Sequence, residues 1–328
     1  MKLFYSDTFE LPLPTGHRFP MAKYGRLRER VLAAAWSNAC QLELPPAATD
    51  AELLLVHCPE YLRRVTQGEL SILEQKRIGF PWSEKMVERC RRSTGASLAA
   101  SQAAIVDRVA VNMAGGTHHA MPDAGSGYCV FNDVAVAARV LQQKKLAARV
   151  LFVDLDVHQG NGTAAVTAND DTLFSFSMHG DNNFPFRKTA SDLDVALPDG
   201  IGDEEYCAAL RESLVTIESR FVADFVFYVA GADAWAGDRL GKLGLSKAGL
   251  KARDEIVFDW CRDRRLPVSV CMAGGYAPQI DDIVDIHFET IAAAFRYARN
   301  PPVTETQNKV FPSVSQRLSP GNWRDNAY

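Results

Sequence analysis

Val150-Leu151-Phe152-Val153-Asp154-Leu155-Asp156-Val157-His158-Gln159-Gly160-Asn161-Gly162 is the stretch on which the fold turns. An apolar run of strand length ends in carboxylates, a histidine and two glycines, and the carboxyl ends of strands are where open parallel sheets bind ligands. Similar runs recur at Leu3-Phe4-Tyr5, Val109–Met113, Leu173–Phe176, Phe225–Val229 and Val268–Met272. Helical patterns lie between them. Tyr206, Leu210, Leu214, Ile217 and Phe221 fall at steps of four, four, three and four and make one apolar face, with Asp203 placed to cap it. The same reading predicts helices over about 85–106, from Asn132 or Asp133 to about Lys145, from Ser246 to about Arg262, and over about 279–297. This alternation predicts a single α/β domain over 1–300, with a mostly parallel multi-stranded sheet and helices on both faces. No internal repeat or Gly/Ser-rich linker divides it. From Pro301 the pattern is polar and unperiodic, so 301–328 is expected as an extended or disordered tail with Phe311 and Trp323 as anchors.

The 328 residues carry 36 basic and 40 acidic side chains, a net charge of −4, which lacks the basic footprint that phosphate-backbone binding requires. No direct nucleic-acid partner is expected. Hydrophobic residues make up 47% and charged ones 23%, enough to bury a sizeable core. Lys2, Asp7, Pro12 and Pro14 interrupt the start before a signal-peptide run can form, and no stretch approaches about 18 apolar residues. Neither a secretion signal nor a membrane span is expected. Seven cysteines without a Cys-x-x-Cys pair read as reduced thiols in a cytoplasmic protein.

Four strand exits hold the chemistry. They are Ala114-Gly115-Gly116-Thr117-His118-His119, Asp154 to Gly162, Ala230-Gly231-Ala232-Asp233 and Ala273-Gly274-Gly275-Tyr276. Asp154, Asp156 and His158, spaced by two, share one face while the chain stays extended. Asp156 and His158 form a metal platform that needs a third ligand, and Asp233 is the best candidate because it too follows an apolar strand. Three protein ligands with an open position match a catalytic zinc site, although the oxygen-rich set also suits iron(II) or manganese. Beside a metal, His118 and His119 become a general base and acid, and Tyr276 an oxyanion donor. The combination describes hydrolysis of an amide or ester by metal-activated water.

In this order the segments resemble the histone deacetylase family of zinc-dependent acyl-lysine hydrolases, with its arginase/deacetylase α/β fold. Further carriers are Gly127-Tyr128-Cys129-Val130-Phe131-Asn132-Asp133 and Gln159-Gly160-Asn161-Gly162-Thr163. Gln159, Asn161 and Gly16-His17-Arg18-Phe19-Pro20-Met21 look most like the class IV branch and its bacterial relatives. The resemblance implies one Zn2+ on Asp156, His158 and Asp233, Tyr276 as carbonyl-polarising donor, and His118 and His119 as paired histidines with Asp154 orienting His118. It implies a tunnel for an acylated lysine, lined by Gly127 and Tyr128 with Phe184 or Phe186 opposite, and bordered by Gly274 and Gly275. It also implies a K+ site from Asp154, backbone oxygens of Asp156 and His158, Ser177 and Met178. Asn161 departs from the class I pattern, which has an Asp there, so His119 should be less basic.

His17, His57 and His287 are expected as satisfied structural residues, His179 as a neighbour of the site without ligation, and Asp238 as a loop or supporting carboxylate. The glycines around the zinc leave room for a pocket deeper than acetyl needs, which, with the class IV likeness, predicts a preference for longer acyl chains. The substrate is an acylated lysine in a protein or peptide. The alternative is a small acylated amine such as an acetylated polyamine, with Gln75–Glu84 and Asp181–Ala190 expected around the entrance. An acyl-lysine binding module without turnover is the reading from another class, and a two-metal ureohydrolase fits the Asp154, Asp156 and His158 pattern less well.

Overall fold

The strand Val150–Asp154 is buried along its whole length, as a central strand of a covered sheet must be. The structure, a computed structural model, describes residues 1–299; the tail expected over 301–328 lies outside the described residues. Eight strands follow in chain order: β1 (Lys2–Phe4), β2 (Gln41–Glu43), β3 (Val109–Asn112), β4 (Val150–Asp154), β5 (Leu173–Gly180), β6 (Leu193–Leu197), β7 (Phe225–Val229) and β8 (Val268–Cys271). They form one sheet in the order β2-β1-β3-β8-β7-β4-β5-β6, and every pairing is parallel. The four strands whose exits carry the polar segments, β3, β8, β7 and β4, are therefore consecutive neighbours. Topology gathers the chemistry at one edge of the sheet.

The helices are α1 (Ala22–Leu32), α2 (Asp50–Leu53), α3 (Pro59–Gln67), α4 (Ile72–Ile78), α5 (Glu84–Asp107), α6 (Asp133–Gln143), α7 (Asn161–Thr167), α8 (Asp203–Arg220), α9 (Lys247–Asp263) and α10 (Ile280–Arg299). Two cores result, one on each face. Leu151, Val153, Val226 and Val270 face the core that includes Leu27, Leu210, Val257 and Ile291 from α1, α8, α9 and α10. Phe152, Phe225, Phe227 and Cys271 face the core that includes Val65, Leu98 and Val136 from α3, α5 and α6. Side chains alternate between faces along each strand, which is why one apolar run feeds both cores.

Asp203 is not the cap of α8. Gly202, extended at φ −90° and ψ −178°, stands there, and the Asp203 carboxylate instead accepts from the backbone N–H (2.8 Å) and hydroxyl (2.6 Å) of Ser246, the N-cap of α9. No described helix is long and apolar enough to cross a membrane.

Candidate active site

The β3 exit begins with two glycines at φ +74° and +72°, a left-handed conformation that L side chains rarely adopt. A Cβ on Gly116 would also stand 2.6 Å from the Ala273 Cβ on the neighbouring β8 exit. The turn is locked by the buried carboxylate of Asp133 at the start of α6. It accepts from the Gly116 N–H (3.0 Å), the Thr117 N–H (2.7 Å) and the Thr117 and Ser97 hydroxyls (2.6 and 2.5 Å). With the turn fixed, the rings of His118 and His119 lie 4.2 Å apart and both are buried.

Their partners differ. His118 Nδ1 is 2.6 Å from the Asp154 carboxylate, whereas His119 Nδ1 is 2.7 Å from the amide oxygen of Asn161. Burial opposes charge on His118, but the charges of Asp154 and Asp156 and the Asp154 hydrogen bond outweigh it and push its pKa up to about 9. His119 is held well below the ordinary histidine value, first by burial and then by the neighbouring His118 and His158. The lowered basicity expected from Asn161 has these other causes: the Asn161 hydrogen bond itself acts in the opposite direction.

Asp156, His158 and Asp233 present ligand atoms within 4.8 Å of one another, all buried. His158 Nδ1 is 3.0 Å from Asp156 Oδ1 and 3.2 Å from Asp233 Oδ2. One ring nitrogen carries at most one hydrogen, so it cannot satisfy both carboxylates, and Asp233 Oδ2 is left buried without a hydrogen-bond partner among the described residues. Two buried carboxylates converging on one nitrogen are stabilised by a shared cation. Burial, together with the like charge of Asp156, raises the Asp233 pKa. The donor set, two carboxylate oxygens and an imidazole, fits Zn2+.

Tyr276 follows Gly274 and Gly275 on the β8 exit, and a Cβ at Gly274 would collide with the Asp233 carboxylate. Its backbone N–H donates to Asp238 Oδ2 (2.6 Å), so Asp238 anchors the loop. The phenol makes no hydrogen bond among the described residues, and its ring centroid lies 6.4 Å from that of His158. Burial, and then Asp233 and Asp156, keep it protonated well above the usual tyrosine range.

The tunnel residues are placed unequally. Tyr128, strained at φ +65°, packs its ring 5.7 Å from Tyr276, 5.1 Å from Phe19 and 5.3 Å from Phe80. Phe184 stands edge-on to His119 at 4.9 Å, and Gly127 keeps clear of both rings. Phe186 is 88% exposed and is not brought to the site. Of the two segments expected around the entrance, the one over Gln75–Glu84 accepts from the Gly127 and Tyr128 N–H groups through the Arg77 and Ile78 carbonyls, and the one over Asp181–Ala190 contains Phe184. Phe80, Tyr24 and Arg89 also wall the cavity and went unread in the sequence, because nothing in their spacing links them to the strand exits.

The cavity offers about 70 Å³ to the centre of a water-sized sphere. Its lining continues past the catalytic side chains to Leu11, Arg89, Cys90 and Ser93, so the cavity has an inner part beyond the ligand cluster. Across β4 and β5, Asp154 pairs in register with Ser177, while the side chain of Met178, next along β5, lies in the core with Leu151 and Val153. His179 bonds Ser177 Oγ at 3.0 Å and stays outside the ligand cluster. His17 and His57 are hydrogen-bonded through both nitrogens, but buried His287 has no partner for either among the described residues. Its pKa is lowered chiefly by burial, so it sits neutral beneath Gly275.

Residues 17–291 match the histone deacetylase domain. An uncharacterized protein of Picosynechococcus is 44% identical over 283 residues, covering 86% of this chain and 94% of that protein. The histone deacetylase-like amidohydrolase of Pseudomonas aeruginosa is 30% identical over 267 residues, covering 76% of this chain and 69% of its own. Among solved structures, an HDAC homolog complexed with SAHA has the same fold, with a TM-score of 0.76 at 22% identity over 90% of this chain and 83% of that one.

Proposed function

This chain belongs to the histone deacetylase family of hydrolases, and on that premise we propose that it cleaves the amide of an acyl group on lysine, in a protein or peptide. The observation that carries the reading is the buried Asp156, His158 and Asp233 cluster with its orphaned carboxylate oxygen, set at the base of an aromatic tunnel. Zinc held there would supply the Lewis acidity that polarises the amide carbonyl and acidifies the attacking water.

The chain's own groups do the rest. Asp154 holds the Nδ1 proton of His118, and a carboxylate partner stabilises an imidazolium, so His118 carries positive charge next to the reacting carbonyl. Burial and the neighbouring His118 and His158 keep His119 neutral, and with Nδ1 on the Asn161 amide oxygen its Nε2 is free to take a proton from water and return it to the lysine amine. Tyr276 donates its phenol hydrogen to the carbonyl oxygen as negative charge develops. Tyr128 and Phe184 flank the apolar lysine stem and exclude water from it, and an acetylated polyamine could use the same walls.

The test is release of acetate from an acetyl-lysine peptide by the zinc-loaded chain, with metal measured by elemental analysis. SAHA, bound by the solved homolog, is expected to inhibit. A zinc-loaded chain that cleaves neither acetyl-lysine peptide nor acetylated polyamine would refute the reading.

A further inference from the structure

Two buried cations lie close to the site, Arg89 in the cavity wall and Lys23 on the Ala273 and Gly275 carbonyls, and neither pairs with a carboxylate among the described residues. Lys23 is 2% exposed; its ammonium donates to the carbonyl oxygens of Ala273 (3.1 Å) and Gly275 (3.4 Å) and lies 5.3 Å from the Tyr24 ring centroid and 5.5 Å from that of Tyr276. Arg89 is 5% exposed and is part of the cavity wall, with its guanidinium 4.5 Å from the Tyr24 ring. Its Nη1 donates to the carbonyl oxygens of Ser6 (2.5 Å) and Phe9 (3.2 Å), while Nε and Nη2 have no acceptor among the described residues.

A buried guanidinium or ammonium is normally compensated by an anion, because carbonyl dipoles replace only part of its lost hydration. The zinc cluster does not serve, since its two carboxylates are matched by the metal, and Asp154 is committed to His118. The wall of the cavity thus includes a cation with unused N–H donors. Arginine in this setting binds carboxylates specifically.

We propose that the inner cavity is a carboxylate subsite, and that the preferred acyl group is a short half-amide of a dicarboxylic acid, of which succinyl is the type, with Arg89 determining the preference. The inference rests on the amide-hydrolase reading and names its substrate class. Space for it is the inner part of the cavity, where Leu11, Cys90 and Ser93 line the wall beside Arg89. Hydrolysis consumes one water and breaks the amide C–N bond. The lysine amine takes a proton, and the acyl carbon leaves as the second carboxylate of the diacid.

The experiment compares kcat/KM of the zinc-loaded chain on one peptide bearing acetyl-, butyryl- or succinyl-lysine. Butyryl matches the carbon skeleton of succinyl without its charge. Succinyl is expected to exceed butyryl by more than tenfold, and Arg89→Gln to lower that ratio at least tenfold, with Arg89→Lys keeping part of it. Should Arg89→Gln fail to fold, Ser93→Asp places an anion on the same wall and should also lower the ratio tenfold. A wild-type ratio at or below one, or a ratio unchanged in a folded variant, overturns the inference while cleavage of acetyl-lysine leaves the hydrolase reading standing. If no acyl-lysine is cleaved, that reading falls by itself. Calorimetry with N-butyl succinamate against N-butyl butyramide, on wild type and Arg89→Gln, then decides the subsite: a preference for the succinamate that Arg89→Gln removes upholds it, and equal binding overturns it.

Discussion

Tyr276→Phe isolates one oxygen atom. The ring packs against Tyr128, Phe19 and His158 at centroid distances of 5.7, 6.5 and 6.4 Å, and phenylalanine keeps those contacts. The phenol bonds to no described residue, so its loss forfeits no folding hydrogen bond, and the Tyr276 N–H stays anchored on Asp238. Stability and zinc content should therefore match wild type. Catalysis should not, because the phenol acts only where charge develops on the carbonyl oxygen. Losing one oxyanion donor costs about 2.7–4 kcal/mol at the transition state, roughly 10²–10³ in kcat. KM should move little, since the neutral ground-state carbonyl accepts a weaker bond. Steady-state kinetics on an acetyl-lysine peptide, with elemental analysis and a melting curve on the same preparations, measures all three quantities. A kcat within threefold of wild type would mean that the tyrosine only packs. A parallel fall in zinc content would mean that the loop, and not the proton, was disturbed.

Alanine at Asp156, His158 or Asp233 should abolish both bound zinc and turnover while far-UV circular dichroism stays native, and stoichiometric zinc in Asp233→Ala would remove that residue from the ligand set. Asp133→Asn faces an amide N–H2 either with the Gly116 N–H and Ser97 hydroxyl or with the Thr117 N–H and hydroxyl, and losing buried bonds to a charged acceptor should cost about 2–4 kcal/mol in urea unfolding; a change below about 0.5 kcal/mol would show that the turn holds itself. Burial lowers the His57 pKa from 6.5 to about 4, so the folded state keeps it neutral while the unfolded state protonates first. Its share of stability is complete above pH 6.5 and is lost as pH falls toward 4, by about 3 kcal/mol, and His57→Gln should flatten the slope of unfolding free energy over that window. An unchanged slope would contradict a neutral His57.

The strand exits are legible in the sequence because they combine two independent signals, an apolar run for burial and a glycine-rich polar segment for departure from the sheet. The family and the all-parallel sheet with helices on both faces follow from those exits. The edge strands are not legible: Gln41-Leu42-Glu43 has no apolar run, and Leu193–Leu197 alternates exposed and half-buried residues because each pairs on one side only. The first 80 residues, with α1 to α4, also escape, since their helices are short or amphipathic around few apolar positions. Side-chain roles set by distant packing are harder still. Phe184 and Phe186 are two residues apart in one segment, and only the fold turns the first over His119 and the second to solvent. Arg89 sits in the second turn of a long helix, where an arginine ordinarily faces water.

The same feature that makes the site reactive makes it expensive to fold. Asp133, Asp154, Asp156 and Asp233 are all buried at the ends of adjacent elements, and each buried carboxylate must be offset. The protein does so in three different ways. Asp133 is surrounded by backbone and hydroxyl donors and serves geometry. Asp154 is paired with a histidine and sets that ring's charge. Asp156 and Asp233 converge on one imidazole nitrogen; Asp156 also accepts from the His158 and Gly274 N–H groups, whereas Asp233 Oδ2 has no partner among the described residues, and a divalent cation would supply one. A metal bound only by the folded chain adds stability in proportion to the logarithm of its occupancy, about 4 kcal/mol at a thousandfold excess over Kd. On the proposed function, folding and catalysis would therefore draw on the same ion, whereas the Asp133 lock needs none.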